Sequence, residues 1–194
     1  MNFFHFFGYI STKEVFMNLK NTRIISIIII FILCFIFHFV YELLPCTLTA
    51  IFFPVNESIW EHVKMIYTAI IFNGFIDYLI LKKKNINFNN FTTSLFVSGI
   101  TMIPIFLIMY LPIYNLIGPK FVINILIMLI AIIISQIISY YILKSKELNK
   151  FNFISLLLIM VSFVVFAYLT YHPPKTKLFY DTQHKKYGIN NYNV

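Results

Sequence analysis

The 194-residue sequence has little charge and almost no cysteine, and each shortage excludes a class of protein. Only 11% of the residues are charged and 60% are hydrophobic, whereas about 25% charged residues is usual in soluble domains. A soluble globular protein is therefore excluded. The two cysteines, Cys34 and Cys46, lie within and beyond the first apolar run, so we expect no disulfide between them.

The sequence also lacks a basic patch interleaved with aromatic residues, although its net charge is +8. Its 15 lysine and arginine residues lie instead at the ends of apolar segments. Membrane topology and anionic lipid headgroups account for that distribution. We therefore expect a lipid bilayer as the partner and no nucleic acid.

Five apolar runs make up most of the sequence. A run of about 20 residues crosses a hydrocarbon core as a helix, and a helix satisfies its own backbone polar groups in lipid. The alternating ten-residue strands of a membrane barrel are absent. The sequence thus predicts an all-α integral membrane protein, a bundle of five transmembrane helices. The predicted spans are Ile24–Leu44, Ile59–Leu81, Phe91–Leu111, Phe121–Leu143 and Phe151–Tyr171.

The distribution of basic residues predicts the orientation of these spans. Two lysines, Lys64 and Lys120, lie in or near the connections on one side, and nine basic residues lie on the other. The nine are Lys13, Lys20, Arg23, Lys82, Lys83, Lys84, Lys144, Lys146 and Lys150. The positive-inside rule then places the N-terminus in the cytoplasm and the C-terminus outside.

This orientation divides the chain into three parts. Residues 1–23 form a cytoplasmic or interfacial segment, residues 24–171 the transmembrane domain, and residues 172–194 an extracytoplasmic tail. The basic sequence after Met17 resembles the usual lead into a first span, so translation from Met17 is an alternative to translation from Met1.

The stretch FFPVNESIWEHVKM, at the start of the second span, contains the signals of a helix beginning. Pro54 interrupts the preceding chain, and Asn56 is a good capping residue. Ser58 and Glu61 have the spacing of a capping box, in which each side chain binds the other's backbone N–H. Trp60 stands where an interfacial aromatic residue is expected. These roles leave Glu57, His62 and Lys64 without an explanation.

Other ionisable residues are predicted at the same membrane face. His38 and Glu42 are four residues apart near the end of the first span, and therefore share a helix face. His172 ends the fifth span, and Asp181 and His184 follow in the tail. Because ionisable groups within a span usually mark a partner or a cavity, we expect a polar pocket here.

Two kinds of chemistry suit such a pocket. Imidazole and carboxylate groups bind zinc, manganese or iron, although no HExxH motif or cysteine ligand set is present. The candidate ligands of a divalent metal are His38, Glu42, Glu61, His62 and His172. Alternatively, a glutamate–histidine pair could act as general acid and base on a lipid headgroup or cell-envelope substrate. The candidates for this role are Glu57, Glu61 and His62.

Asp77 lies toward the opposite side, five residues before Lys82. We expect it to pair with the lysine run that Lys82 begins.

The motif P-V-N-E-S-x-W-E-H resembles the signature of a family of small bacterial integral membrane proteins, catalogued as a domain of unknown function. The residues that carry the resemblance are Pro54, Val55, Asn56, Glu57, Ser58, Trp60, Glu61 and His62, with Asp181 in the tail. The resemblance implies a multi-pass protein of the bacterial cytoplasmic membrane and implies no established activity.

Three functions remain open from the sequence. The first is a non-catalytic accessory protein whose polar motif binds a protein partner or a second copy of the chain. The second is a membrane-embedded, metal-dependent enzyme. The third is a small transporter component, for which five spans without inverted repeats are few.

Overall fold

The computed structural model describes residues 3–84 and 89–189. Within that part of the chain, six helices and a two-stranded hairpin follow one another. The helices are α1 (Phe3–Leu43), α2 (Thr47–Phe52), α3 (Ile59–Lys83), α4 (Phe91–Ile117), α5 (Phe121–Lys144) and α6 (Asn149–Tyr171). Strands β1 (Tyr180–Asp181) and β2 (Lys186–Tyr187) pair antiparallel in the tail.

Among the described residues, five helices are long and apolar enough to cross a membrane, which confirms the predicted all-α bundle of five spans. The apolar parts of α1, α3, α4, α5 and α6 correspond to the five runs. The third span is longer than predicted because α4 continues through Pro104 and Pro112 to Ile117. Gly118 then ends it with a φ of +71°, a conformation that glycine adopts readily.

Helix α3 lies at the centre of the bundle and is the most buried of the five. It packs against α1 and α4, while α5 packs against both α1 and α4, and α6 against α4 and α2. Tyr67, Ile66 and Met102 are among the fully buried residues of this core. Most of the outward-facing side chains are large and apolar, as a lipid-facing surface requires.

The alternating spans give the bundle two ends. The motif end holds the residues preceding α3, the C-terminal ends of α1, α4 and α6, and the tail hairpin. The lysine end holds the C-terminal ends of α3 and α5 and the N-terminal ends of α4 and α6. Which end faces the cytoplasm stays a prediction from the basic residues.

A buried polar network near the lysine end corrects the expected partner of Asp77. Its carboxylate forms an ion pair with Arg23, with 2.7 Å between Nη2 and Oδ2. It also accepts hydrogen bonds from Ser26 Oγ at 2.7 Å and Asn73 Nδ2 at 2.8 Å. The predicted pairing with the run from Lys82 is wrong, because Asp77 faces α1 in the bundle interior.

Candidate metal centre

Three ligand-type side chains meet at the motif end of the bundle. Glu57 Oε1 lies 3.5 Å from His38 Nε2, and Glu57 Oε2 lies 3.4 Å from His62 Nε2. One nitrogen or oxygen atom from each residue lies within 4.8 Å of the others. Among the residues that the structure describes, this is the one group of three or more such ligands. All three side chains are half-buried.

Three separate parts of the chain supply this cluster. His38 comes from the last turns of α1, Glu57 from the connection before α3, and His62 from the first turn of α3. The start of α3 positions Glu57 and His62. Ser58 caps this helix, because its side chain accepts a hydrogen bond from the Glu61 N–H at 3.4 Å. The predicted Ser58 cap is therefore confirmed.

Hydrogen bonding also orients the His62 ring. Its Nδ1 lies 2.9 Å from the Ser58 carbonyl oxygen. A carbonyl oxygen only accepts, so Nδ1 carries the proton and the neutral ring keeps a free lone pair on Nε2. Metal-binding histidines commonly use their second nitrogen in this way, which fixes both tautomer and ring orientation.

The distances in the cluster can be compared with those between the ligands of a small divalent ion. Zinc binds imidazole nitrogen and carboxylate oxygen at about 2.0–2.2 Å, so two tetrahedral ligands stand about 3.3–3.6 Å apart. The two contacts of Glu57, at 3.5 Å and 3.4 Å, are made by its two different oxygens, and the set with one atom per residue spans up to 4.8 Å. The three side chains would therefore move closer together around a bound ion. Two imidazoles and one carboxylate also form one of the ligand sets of catalytic zinc sites, which keep a fourth position open.

A cavity of about 590 Å³ opens beside the cluster and would supply the space for that fourth position. Its volume lies within the range of small-molecule sites. His38, Glu57 and His62 form its polar end, and Tyr110 and Asn124 add further polar groups. Most of the remaining wall is apolar or aromatic, including Phe106, whose ring stacks on Tyr110 at 5.1 Å.

The histidines hold Glu57 in its charged form. The hydrogen bond with His38 is the largest influence and lowers the pKa of Glu57, while burial acts in the opposite direction. The electrostatic influence of the neighbouring His62 ring lowers this pKa further. An ionised carboxylate is the form that a divalent cation binds.

The tail hairpin holds the backbone of Glu57 in place through Asp181. This aspartate is fully buried, and its Oδ2 accepts the Glu57 N–H at 3.1 Å. Its Oδ1 accepts the N–H groups of Gln183 at 2.8 Å and His184 at 3.0 Å, and its Oδ2 contacts the His184 ring at 2.8 Å. Asp181 thus joins the tail turn to the connection that carries Glu57.

Asp181→Asn is expected to loosen this junction. Burial alone would raise the pKa of Asp181, but the hydrogen bonds from His184, Glu57 and Gln183 outweigh it and lower the pKa. The stabilisation is therefore complete at neutral pH and is lost as the pH falls below about 4, through the lowered pKa. Since hydrogen bonds to a charged group contribute about 1.5–3 kcal/mol, amide hydrogen exchange at Glu57 and Gln183 should accelerate by about 10–100-fold.

His184→Ala is the matched control for this measurement. It removes only the contact of a ring whose side chain is 60% exposed and leaves the backbone donors to Asp181 intact. A smaller acceleration is therefore expected. Equal exchange in the two variants would show that the Asp181 carboxylate does not fix the connection.

Two further contacts attach the tail to the motif. Asn56 Nδ2 donates to the Gly188 carbonyl at 3.0 Å, and the Trp60 N–H donates to the Leu178 carbonyl at 3.0 Å. Gly188 has a φ of +59°, and a Cβ there would lie 2.6 Å from the Thr170 carbonyl oxygen. Only glycine fits this position. The Trp60 ring packs on Phe179, with 5.0 Å between ring centroids. Trp60, which was predicted at the membrane interface, thus contacts the tail.

Glu61 lies outside the cluster of His38, Glu57 and His62, in a buried ion pair with Lys64. Its Oε2 lies 2.6 Å from Lys64 Nζ and accepts the Val55 N–H at 3.1 Å. The second half of the predicted capping box is therefore wrong, since the Ser58 N–H donates to Asn56 Oδ1 at 2.8 Å instead. A buried lysine within reach attracts the carboxylate more strongly than a backbone amide does.

Two other candidate ligands also lie outside the cluster. Glu42 and His172 are both exposed, and the His172 ring lies 5.2 Å from Tyr168. His38 and His62 are thus the two predicted metal candidates that the structure brings together. The metal prediction omitted Glu57, which was a candidate only for acid–base chemistry. A signal was available, because Glu57 remained unexplained by helix capping. The cavity residues Tyr110 and Asn124 carried no signal, since one tyrosine or asparagine in a span is common.

Both cysteines are free in the structure, with Cys34 buried and Cys46 exposed.

No curated protein and no solved structure matches this chain. A family model does match, over residues 11–189. This range includes all five spans, the residues His38, Glu57 and His62, and the tail hairpin. The resemblance inferred from the motif is confirmed at the level of a family without an assigned function. The chain therefore belongs to DUF6512, a family of unknown function.

Proposed function

We propose that the protein is a membrane-embedded enzyme that uses a divalent metal ion, of the zinc class, to hydrolyse an ester. His38 and His62 would bind the metal through Nε2 and Glu57 through its carboxylate. One observation carries this proposal, namely that the three ligand atoms lie within 4.8 Å of one another at the end of a large cavity.

The ligand set favours a catalytic rather than a structural ion. Structural zinc sites are closed by four protein ligands, whereas catalytic sites have three and an open position. A metal held by these three residues would polarise an ester oxygen and lower the pKa of its bound water. Hydrolysis then adds the water oxygen to the acyl carbon or phosphorus, the ester C–O or P–O bond breaks, and the leaving oxygen takes a proton to give an alcohol.

The substrate would be a lipid or cell-envelope ester, because the cavity lies at one end of a membrane-spanning bundle. The positive-inside rule favours the outer face for this end. Together with the resemblance to bacterial proteins, it supports a location in the bacterial cytoplasmic membrane with the metal site outside.

Metal content tests the proposal directly. Protein purified in mild detergent and loaded with Zn²⁺ should retain about one equivalent after removal of excess metal. His38→Ala and His62→Ala should each lower the affinity for Zn²⁺ by at least about 100-fold, since each removes a direct ligand. Calorimetric titration with Zn²⁺ measures both quantities.

Glu42→Gln and His172→Ala are matched controls, because both side chains are exposed and lie outside the cluster. His172→Ala should bind Zn²⁺ like the unmodified protein, and Glu42→Gln, which removes a charge near His38, should lose far less affinity than the two ligand variants. Thermal unfolding of the metal-free proteins separates misfolding from ligand loss, and His38→Gln offers a milder ligand change. Absence of binding in folded protein, or equal losses in the controls, would overturn the proposal and favour a non-catalytic accessory protein.

A further inference from the structure

We infer that the substrate of this site is a membrane lipid, whose alkyl chain enters the cavity sideways between α1 and α5. The inference rests on the proposed hydrolytic function and specifies its substrate class. It depends on where the cavity opens, on which residues form its wall, and on where its polar groups lie.

The cavity opens toward the lipid-facing surface of the bundle. On α1, Phe35 and Phe39 line the cavity, yet they are 41% and 52% exposed on the outside of the bundle. On α5, Phe121 lines it and is 75% exposed. A side chain that belongs to both a cavity wall and the outer surface marks the rim of an opening. The rim therefore runs between α1 and α5.

The same two helices are joined at the opposite end of the bundle. Arg23 on α1 donates from Nη1 to Gln136 Oε1 at 3.2 Å and to Ser139 Oγ at 3.1 Å, both on α5. Helices α1 and α5 are thus joined by hydrogen bonds near the lysine end. Near the motif end, the cavity lies between the phenylalanines of these two helices. Because α1 and α5 are joined at one end and separated by the cavity at the other, they leave a slot that an extended alkyl chain can enter.

The tail covers the cavity from the direction of the aqueous phase. Tyr180, Thr182 and Gln183 of the hairpin contribute to its wall, and Asp181 holds this turn against the Glu57 connection. A water-soluble substrate would meet the hairpin first, whereas a lipid meets the open side between α1 and α5.

The division of the wall matches an amphiphile. The polar side chains of the metal cluster stand at one part of the cavity, beside the hairpin. The part between the helices is lined by Phe35, Ile125 and Met128, and by Phe106 on α4. Apolar walls with a few convergent polar groups orient a ligand by its head. The headgroup ester, carboxylic or phosphoric, would face the metal, and the alkyl chain would lie between the phenylalanines.

Photocrosslinking tests the slot. The probes are a monoacyl glycerol and a long-chain alkyl phosphate, each with a diazirine in the chain, supplied to the protein in vesicles of a neutral phospholipid. Peptide mass spectrometry should locate the label on the α1 and α5 segments around Phe39 and Phe121. The two probes distinguish a carboxylic from a phosphoric ester headgroup. A soluble short-chain phosphate should not compete.

Ile125→Trp should fill the slot without replacing a candidate metal ligand, and Leu126→Trp is its control. Ile125 lines the cavity, whereas Leu126 is 52% exposed and lies outside it. Ile125→Trp should lower labelling of the slot by at least about fivefold, because an overfilled cavity loses its ligand. Leu126→Trp should leave labelling unchanged. Equal labelling in both variants, or label spread evenly over the lipid-facing surface, would overturn the inference.

The zinc content of the same samples separates the two proposals. Protein that holds zinc but shows no slot labelling contradicts lipid entry and leaves the metal function intact. Slot labelling of protein that binds no zinc supports lipid entry and contradicts the metal-dependent hydrolysis.

Discussion

Glu61→Gln is expected to lower the free energy of unfolding by about 3–5 kcal/mol, the cost of breaking one side of a buried ion pair. The side chain of Lys64 is fully buried and that of Glu61 is 3% exposed. Lys64 Nζ also donates to the Ala50 carbonyl and to Thr170 Oγ1, both at 2.9 Å. The variant leaves the ammonium group in the bundle interior without a counter-charge.

The pair also joins three helices. Thr170 on α6 donates to Glu61 Oε1 at 3.1 Å, and Ala50 belongs to α2. The loss should therefore appear as a lower thermal unfolding temperature of the whole bundle in detergent. Glu42→Gln is the control, since it makes the same chemical change at an exposed position of the motif end.

A double variant distinguishes charge pairing from packing. Glu61→Met combined with Lys64→Met removes both charges, and replacing a complete buried pair by apolar residues is often close to neutral. The double variant should therefore be more stable than Glu61→Gln. If it is the less stable of the two, the hydrogen bonds to Ala50 and Thr170 outweigh the charge pairing and this explanation fails.

Asp77→Asn should destabilise the opposite end by a similar amount, about 3–5 kcal/mol. The Arg23 and Asp77 side chains are 8% and 1% exposed. The substitution leaves the guanidinium group of Arg23 with a neutral partner in the interior. Because Arg23 also binds Gln136 and Ser139, the contact between α1 and α5 should weaken with it.

Lys83→Gln is the control for this end, since Lys83 is an exposed member of the lysine run. It should leave the unfolding temperature unchanged, because the partner of Asp77 is Arg23. Arg23→Met combined with Asp77→Leu removes both charges and should recover much of the loss. A loss from Lys83→Gln as large as that from Asp77→Asn would restore the lysine run as the partner of Asp77.

Asp77 also shows what a sequence does not reveal about a bundle. Its neighbours along the chain include Lys82, whereas its partner Arg23 is separated from it by more than 50 residues. Helical spacing gives the face on which a residue lies, but the helix that packs against that face depends on the assembled bundle. The same limit applies to Glu61, whose partners on α6 and α2 lie outside its helix.

The cluster of His38, Glu57 and His62 could be predicted from the sequence only in part. The depth of His38 in the first span and the unexplained positions of Glu57 and His62 pointed to the end of the bundle at which these three side chains meet. Their meeting within 4.8 Å depends on α1 packing against α3. The exposed positions of Glu42 and His172 depend equally on how each helix is rotated.

The five membrane-spanning helices and the Ser58 cap could be predicted from the sequence, because each depends on local properties. These are the length of an apolar run, the hydrogen bonding of its backbone and the residue types at a helix start. Three features depend on the tertiary structure: the pairing of the buried charges, the meeting of His38, Glu57 and His62, and the position of the cavity opening. Those features join residues on different helices, and a pairwise distance between helices is fixed only when their surfaces pack.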